Sequence, residues 1–283
     1  MSISEWRKFT LDSICLITLF CYVVVAVILS PVNKSILLIS LCIVRIVVAT
    51  ELSANDVLEK VMNRTKGIDH SFQLSIHKQQ KGKPDKHQAI KINLHWPSAG
   101  EFSRMSYVET LAPDNLKDVK FWEHRYKDAP ASKRWMTMPI TGKLKDVTDK
   151  KPNKNEFNFS ELEITPEIIN NHDNKIVEQS SLNDRDVIIL ESVQRSKKKV
   201  RKKLWIDQDE FFILKAEFYT KSGRKSKIID MSDLSVKNEI TFPQSIHVED
   251  LRKKIIYEVK INNINLLPAF NVNDFNPIGS DVE

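Results

Sequence analysis

The chain is short of cysteine and of glycine, and each shortage excludes a class of chemistry. Of its 283 residues only 3 are cysteine, and Cys15, Cys21 and Cys42 all lie in the apolar N-terminal stretch. From residue 50 onward no disulfide and no thiolate metal site can form, so that part must stand on its core alone. Only 6 residues are glycine, too few for phosphate-cradling loops. No nucleotide-binding glycine pattern, nucleophile elbow, paired-histidine metalloprotease helix or calcium loop is present. The 7 histidines are scattered, and none is spaced as a pair of ligands on one element. His77 and His95 fall on strand positions opposite an apolar face, where solvent exposure is the ordinary outcome. Large charge of one sign is missing too. The formal net charge is +6, and residues 1–50 hold Arg7, Lys8, Lys34 and Arg45 against Glu5 and Asp12, which leaves +4 for the remainder. That excess demands no polyanion, and the basic run lacks the interleaved aromatics of a nucleic-acid surface. The chain reads as a non-enzyme without cofactor, metal or nucleic-acid partner. Repeats and low-complexity linkers are absent as well.

What is present is alternation. Leu204, Ile206, Phe212, Leu214, Ala216 and Phe218 fall on one set of positions, and Lys203, Trp205, Asp207, Ile213, Lys215, Glu217 and Tyr219 on the other. Period two means one dry and one wet strand face. Residues 207–210 and the pair Ser222-Gly223 supply the turns, so a long antiparallel meander is predicted. Phe72, Leu74 and Ile76 alternate in the same way, and after a Lys-Gly-Lys-Pro turn Ile90, Ile92, Leu94 and Trp96 repeat the pattern. Further strands are expected at 102–111, 119–126, 133–138, 175–182, 187–195, 244–251 and 254–266.

Two helices are predicted. Ser53 with Asp56 reads as a capping box ahead of the stripe Val57, Leu58, Val61 and Met62, closed by Gly67. The second is placed at 161–171, with Thr165-Pro166 as N-cap and N1. One helix or two against some ten strands is a mainly β (α+β) fold. A twisted sheet with so few helices cannot be covered on both faces and must curl.

Residues 1–49 read as a signal peptide or a membrane anchor. Ile14 to Leu29 is apolar but shorter than the ~20 residues that comfortably span a bilayer. A second apolar stretch, 36–49, ends Val47-Val48-Ala49, a small-residue pattern suited to cleavage before Thr50. Asn33-Lys34 would be its charged start and Val32 a GUG initiation codon, making 1–31 a mis-assigned extension. Leu41 before Cys42 does not fit a lipoprotein signal.

The run Lys203-Leu204-Trp205-Ile206-Asp207, then Leu214-Lys215-Ala216-Glu217-Phe218-Tyr219, Lys221-Ser222-Gly223-Arg224 and Phe242-Pro243, resembles the outer-membrane lipoprotein-sorting family, the LolA-like superfamily. Trp135-Met136-Thr137-Met138-Pro139 and the segment 156–162 resemble that family's aromatic strand ending in proline and its acidic Phe-Ser-Tyr-Glu-Asp-Leu stretch. Phe159 replaces the tyrosine, and Leu162 follows Glu161 without the usual acid. The resemblance spans roughly residues 52–277. It implies a single domain over 50–283: an incomplete LolA/LolB-like β-barrel, lidded by a few helices, whose concave apolar face takes acyl chains. It further implies a periplasmic carrier for lipoprotein or lipid, with an inner-membrane exporter as donor and an outer-membrane acceptor. The alternative is a periplasmic regulatory or sensory module that senses lipoprotein or binds a membrane protein.

On that reading the groove is lined by Leu74, Ile76, Ile90, Ile92, Leu94 and Trp96 from the first hairpin, by Phe121, Trp135 and Met138, and by Leu204, Ile206, Leu214 and Phe218. Core packing would use the same residue types. The basic cluster Lys197, Lys198, Lys199, Arg201 and Lys202 is either a solvated hairpin end that deters edge association or a docking patch for anionic headgroups or a membrane partner.

Overall fold

Alternation produces strands throughout the chain. The first meander comprises β1 (His70–Gln80), β2 (Lys86–His95), β3 (Phe102–Ala112), β4 (Lys120–Tyr126), β5 (Ser132–Thr137) and β6 (Leu144–Asp146). The second comprises β7 (His172–Leu182), β8 (Arg185–Gln194), β9 (Arg201–Asp207), β10 (Ile213–Tyr219), β11 (Lys225–Lys237), β12 (Ile240–Asp250) and β13 (Ile255–Leu266). The computed structural model describes residues 52–117, 119–128, 132–150, 161–197 and 201–277. The expectations for residues 1–49, and those for Lys198 and Lys199, lie outside the described residues.

All 13 strands form one antiparallel sheet in the order β6-β5-β4-β3-β2-β1-β13-β12-β11-β10-β9-β8-β7. Each meander runs between the centre, where β1 pairs with β13, and an edge, and the two edge strands β6 and β7 do not pair. The sheet is an unclosed barrel.

Its curl follows from one short segment. Glu163 accepts hydrogen bonds from Arg104 on β3 at 2.8 Å and from Arg125 on β4 at 2.6 Å. Two residues earlier, the Glu161 carbonyl accepts one from Lys202 on β9 at 3.0 Å, and its carboxylate pairs with Lys227 on β11. β4 and β9 are eight places apart in the sheet, roughly 38 Å if it were flat. Two residues span at most roughly 7 Å. Extended side chains at both ends cannot make up the difference, so the walls must be rolled toward each other with residues 161–165 strapped between them.

The core lies on the inner face of the second meander. One row of paired residues, Leu190, Leu204, Ala216, Ile229 and Val248, crosses β8 to β12 and is buried throughout. Against this cluster pack α1 (Ala54–Asn63) and α2 (Pro166–Asn171), through Val57, Leu58 and Ile169. Helix α1 begins with the predicted capping box: the Ser53 hydroxyl accepts from Asp56 N at 3.2 Å, and Asp56 Oδ2 accepts from Ser53 N at 2.9 Å. Arg64, just past its end, lays its guanidinium over the Phe212 ring at 4.8 Å.

Helix α2 is shorter than predicted. Thr165 is extended (φ −120°, ψ 159°), because a residue before proline is driven out of the helical region. The helix therefore starts at Pro166, and the residues before it become the strap.

The outer face of the first meander carries a core of its own. The segment 270–277 lies across β3 and β4, burying Phe275 completely beside Trp122 and Met105. Trp122 Nε1 donates to the Asp274 carbonyl at 3.0 Å, and His124 Nε2 donates to that of Phe275 at 2.7 Å. Burial holds the His124 imidazole below its ordinary pKa, with the Phe275 carbonyl pulling the other way. His95, expected in solvent, is held by Asp69 at 2.6 Å and packs on Phe275 with ring centres 5.3 Å apart.

Candidate binding cleft

The inner face of the first meander is apolar in the same way, but among the described residues no helix lies on it. A row of directly paired residues, Phe72, Ile92, Val108, Phe121 and Met136, crosses β1 to β5 on one side of the sheet. Next to it opens a cleft of ≈ 890 Å³, within the range of small-molecule sites. Ile76, Val108, Phe121 and Met136 form its floor, and Leu116, Val119 and Tyr257 its sides. Its rim is the end of the meander where β1 turns into β2 and β5 into β6, contributed by Lys78, Lys83, Lys86, Asp85 and Pro139. Ile140, the tip of the second of those turns, is fully exposed with φ 75°, a left-handed backbone that costs an L-residue about 1–2 kcal/mol.

The predicted groove residues divide into groups. Ile76 and Phe121 line the cleft, and Ile90 and Ile92 share their face, half-buried against the core. Leu74, Leu204, Ile206 and Leu214 are at most 2% exposed inside the filled core, so no ligand reaches them as they stand. Phe218 sits at the strap end of that core, with the Lys202 ammonium 5.5 Å from its ring. Leu94 and Trp96 are half-buried at the far end of β2, where Arg104 lies 5.9 Å from the Trp96 ring. Trp135 faces the other way: it pairs with Trp122 and meets His124 edge-on at 5.0 Å on the outer face. Met138 lies beyond the end of β5, its amide closing the turn to the Lys143 carbonyl at 2.8 Å.

Sequence reasoning missed Val108, Met136, Leu116, Val119 and Tyr257. Val108 carried a signal, since it alternates with Tyr107 inside a predicted strand. Met136 was displaced by Trp135, a choice of the larger neighbour over the right parity. Pairing with Phe121 fixes that parity, and the register is visible only in the folded sheet.

The basic run does not act as one patch among the described residues. Arg201 points outward, pairing with Glu191 at 3.2 Å and covering the Tyr219 ring at 4.2 Å. Lys202 points inward to the strap, and burial lowers its ammonium pKa while Glu161 opposes that shift. Period two separates neighbours on β9 onto opposite faces, so the docking patch proposed from the run is withdrawn at Lys202.

The strap is held by charge. Arg125 grips Glu163 with two hydrogen bonds of 2.6 Å, Arg104 adds one of 2.8 Å, and Glu123 sits 3.3 Å from both arginines. Burial pushes the Glu163 carboxyl up, but Arg104 and Arg125 outweigh it and hold it below the usual carboxylate range. Among the described residues no group of three His, Cys, Asp or Glu is placed to hold a metal ion. No helix among them is long and apolar enough to cross a membrane.

A protein-family model described as "-like: Uncharacterized protein" matches residues 103–277, more than half of the chain. The chain belongs to that family. No curated protein matches it. Among solved structures it is similar to a domain from Vibrio parahaemolyticus assigned to outer membrane lipoprotein sorting, at 15% identity and TM-score 0.65, covering 78% of this chain and 95% of that one. A DUF1329 family protein from Desulfovibrio piger is similar at 15% identity and TM-score 0.66, covering 79% and 95%. A LolA superfamily protein from Nitrosomonas europaea is similar at 17% identity and TM-score 0.58, covering 80% and 98%. The fold is LolA-like.

Proposed function

We propose that residues 50–283 act as a single periplasmic carrier domain that holds the acyl chains of a lipoprotein or lipid in the cleft over β1 to β5. Cargo would come from an inner-membrane exporter and leave toward an outer-membrane acceptor. The observation that carries this reading is the ≈ 890 Å³ cleft, whose floor is apolar and which no helix among the described residues fills. An acyl chain gains ~0.8 kcal/mol per buried methylene. About ten methylenes give ~8 kcal/mol, a micromolar dissociation constant, with no catalytic group involved. Transfer is then competition between apolar sites, and its direction follows from tighter binding at the acceptor.

The test is native mass spectrometry of the protein purified from its own envelope, with lipid extraction of the same sample. Acylated species at about one per protein are expected. A protein that carries none, and takes up none when offered fluorescent fatty-acyl probes, overturns the reading.

A further inference from the structure

The cleft has an apolar floor and a cationic rim, and the two together define an amphiphile. Three lysines line it, Lys78, Lys83 and Lys86, against one carboxylate, Asp85. That carboxylate is already engaged: His77 Nε2 lies 3.0 Å from Asp85 Oδ2, and the His77 ring is stacked on His87 at 4.2 Å. Lys83 and Lys86 are exposed on the first hairpin and make no ion pair among the described residues. Lys78 lies on the floor side, 5.7 Å from the centre of the Tyr257 ring. A chain lying along Val108, Phe121 and Met136 with its polar end toward the hairpin would place its head among these ammonium groups. A neutral head offers Lys83 and Lys86 no opposite charge, whereas a phosphate or carboxylate gives both a charged partner.

Resting on the carrier reading above, we infer that the cleft selects acyl amphiphiles with an anionic head, a phosphate or carboxylate held by Lys83 and Lys86, over neutral or zwitterionic ones of the same chain length. Two exposed lysines acting on one anion, each contributing as a solvent-exposed ion pair does, amount to about a tenfold preference at low salt. The preference shrinks as salt rises, because charges on an open rim are screened over roughly 10 Å at 0.1 M.

The experiment is titration calorimetry of the full chain with n-dodecyl phosphate, n-dodecyl phosphocholine and n-dodecyl maltoside below their micelle concentrations. It is repeated on the double variant Lys83→Gln/Lys86→Gln and on a control at the opposite end of the sheet, Lys66→Gln/Lys237→Gln, of equal charge change. The inference expects dodecyl phosphate to bind about tenfold tighter than the other two, with the preference lost in the rim variant and kept in the control. Equal affinity for all three heads, or a preference reduced equally by both variants, overturns it while leaving the acyl-binding reading intact. Failure of every amphiphile to bind removes the carrier reading and this inference together. Competition by oleate and by phosphatidylglycerol then distinguishes a fatty acid from a phospholipid as the anion's source.

Discussion

The two halves of the inner face share one sheet and one alternation but differ in what lies on them. Over β8 to β12 the row Leu190 to Val248 is closed by Val57 and Leu58 of α1 and Ile169 of α2. Over β1 to β5 the row starts against that core at Phe72 and Ile92 and meets an open cleft at Val108, Phe121 and Met136. Apolar residues facing inward are therefore no measure of binding capacity; a helix supplying the opposing surface decides it. On the carrier reading the division also separates two tasks: the filled half holds the fold together, and the open half takes a guest without repacking.

Substitutions that act on one half only test that separation. The largest effect is expected from Val108→Trp, which fills the cleft floor: acyl-probe binding falls by at least about 100-fold, while stability stays within ~1 kcal/mol because the site is half-open. Fluorescent-probe titration beside urea unfolding reads both, and retained binding would break the comparison. Leu58→Ala acts in the opposite sense. It empties a fully buried position and costs about 3 kcal/mol in urea unfolding, with probe affinity per folded molecule unchanged. Parallel loss of binding would show that the halves are coupled.

Glu163→Gln is next in size. It leaves Arg104 and Arg125 with Glu123 as the one carboxylate they share, and since these groups are 16–30% exposed the loss is discounted to about 1–2 kcal/mol. The Glu163 carboxyl has a lowered pKa in the folded protein, so its contribution is complete above the unfolded value of about 4.3 and disappears as pH falls through the folded value. Thermal melts of wild type and variant should differ at pH 7 and converge in acid; a constant gap would mean the charge is not what matters. Lys202→Met is expected to do least. Relief of a desolvated ammonium offsets the lost bond to the Glu161 carbonyl, so stability changes by less than about 1 kcal/mol and binding to anionic vesicles is unaltered. A clear loss of vesicle binding would restore the basic run as a docking patch.

Much of this architecture was legible because strand alternation is local. The hairpin of Phe72–Ile76 with Ile90–Trp96, the meander from Leu204 to Phe218 and the Ser53–Asp56 cap could be read from the order of residues, as could the resemblance they carry. What could not be read depends on contacts distant in sequence. Trp135 and Met136 are equally apolar neighbours, and only pairing with Phe121 tells which one faces the cleft. Lys202 looks like its neighbours until Glu161, far away in sequence, gives it an inward partner. Phe275 reads as part of a polar tail, yet the gap beside Trp122 makes it a core residue. β6, three residues of pairing at an edge, has too little pattern to register. Leu74, Leu204, Ile206 and Leu214, expected to line the groove, sit in the filled core, because both environments require the same side chains.

The proposed carrier holds an acyl chain over β1 to β5 and nowhere on the α1 side. A crystal structure of the protein with a dodecyl amphiphile brominated at its chain terminus locates the chain through anomalous scattering. A bromine peak within contact distance of Val108, Phe121 and Met136 is expected. A peak among Val57, Leu58 and Leu204, or no ordered bromine in the cleft at saturating amphiphile, would contradict it.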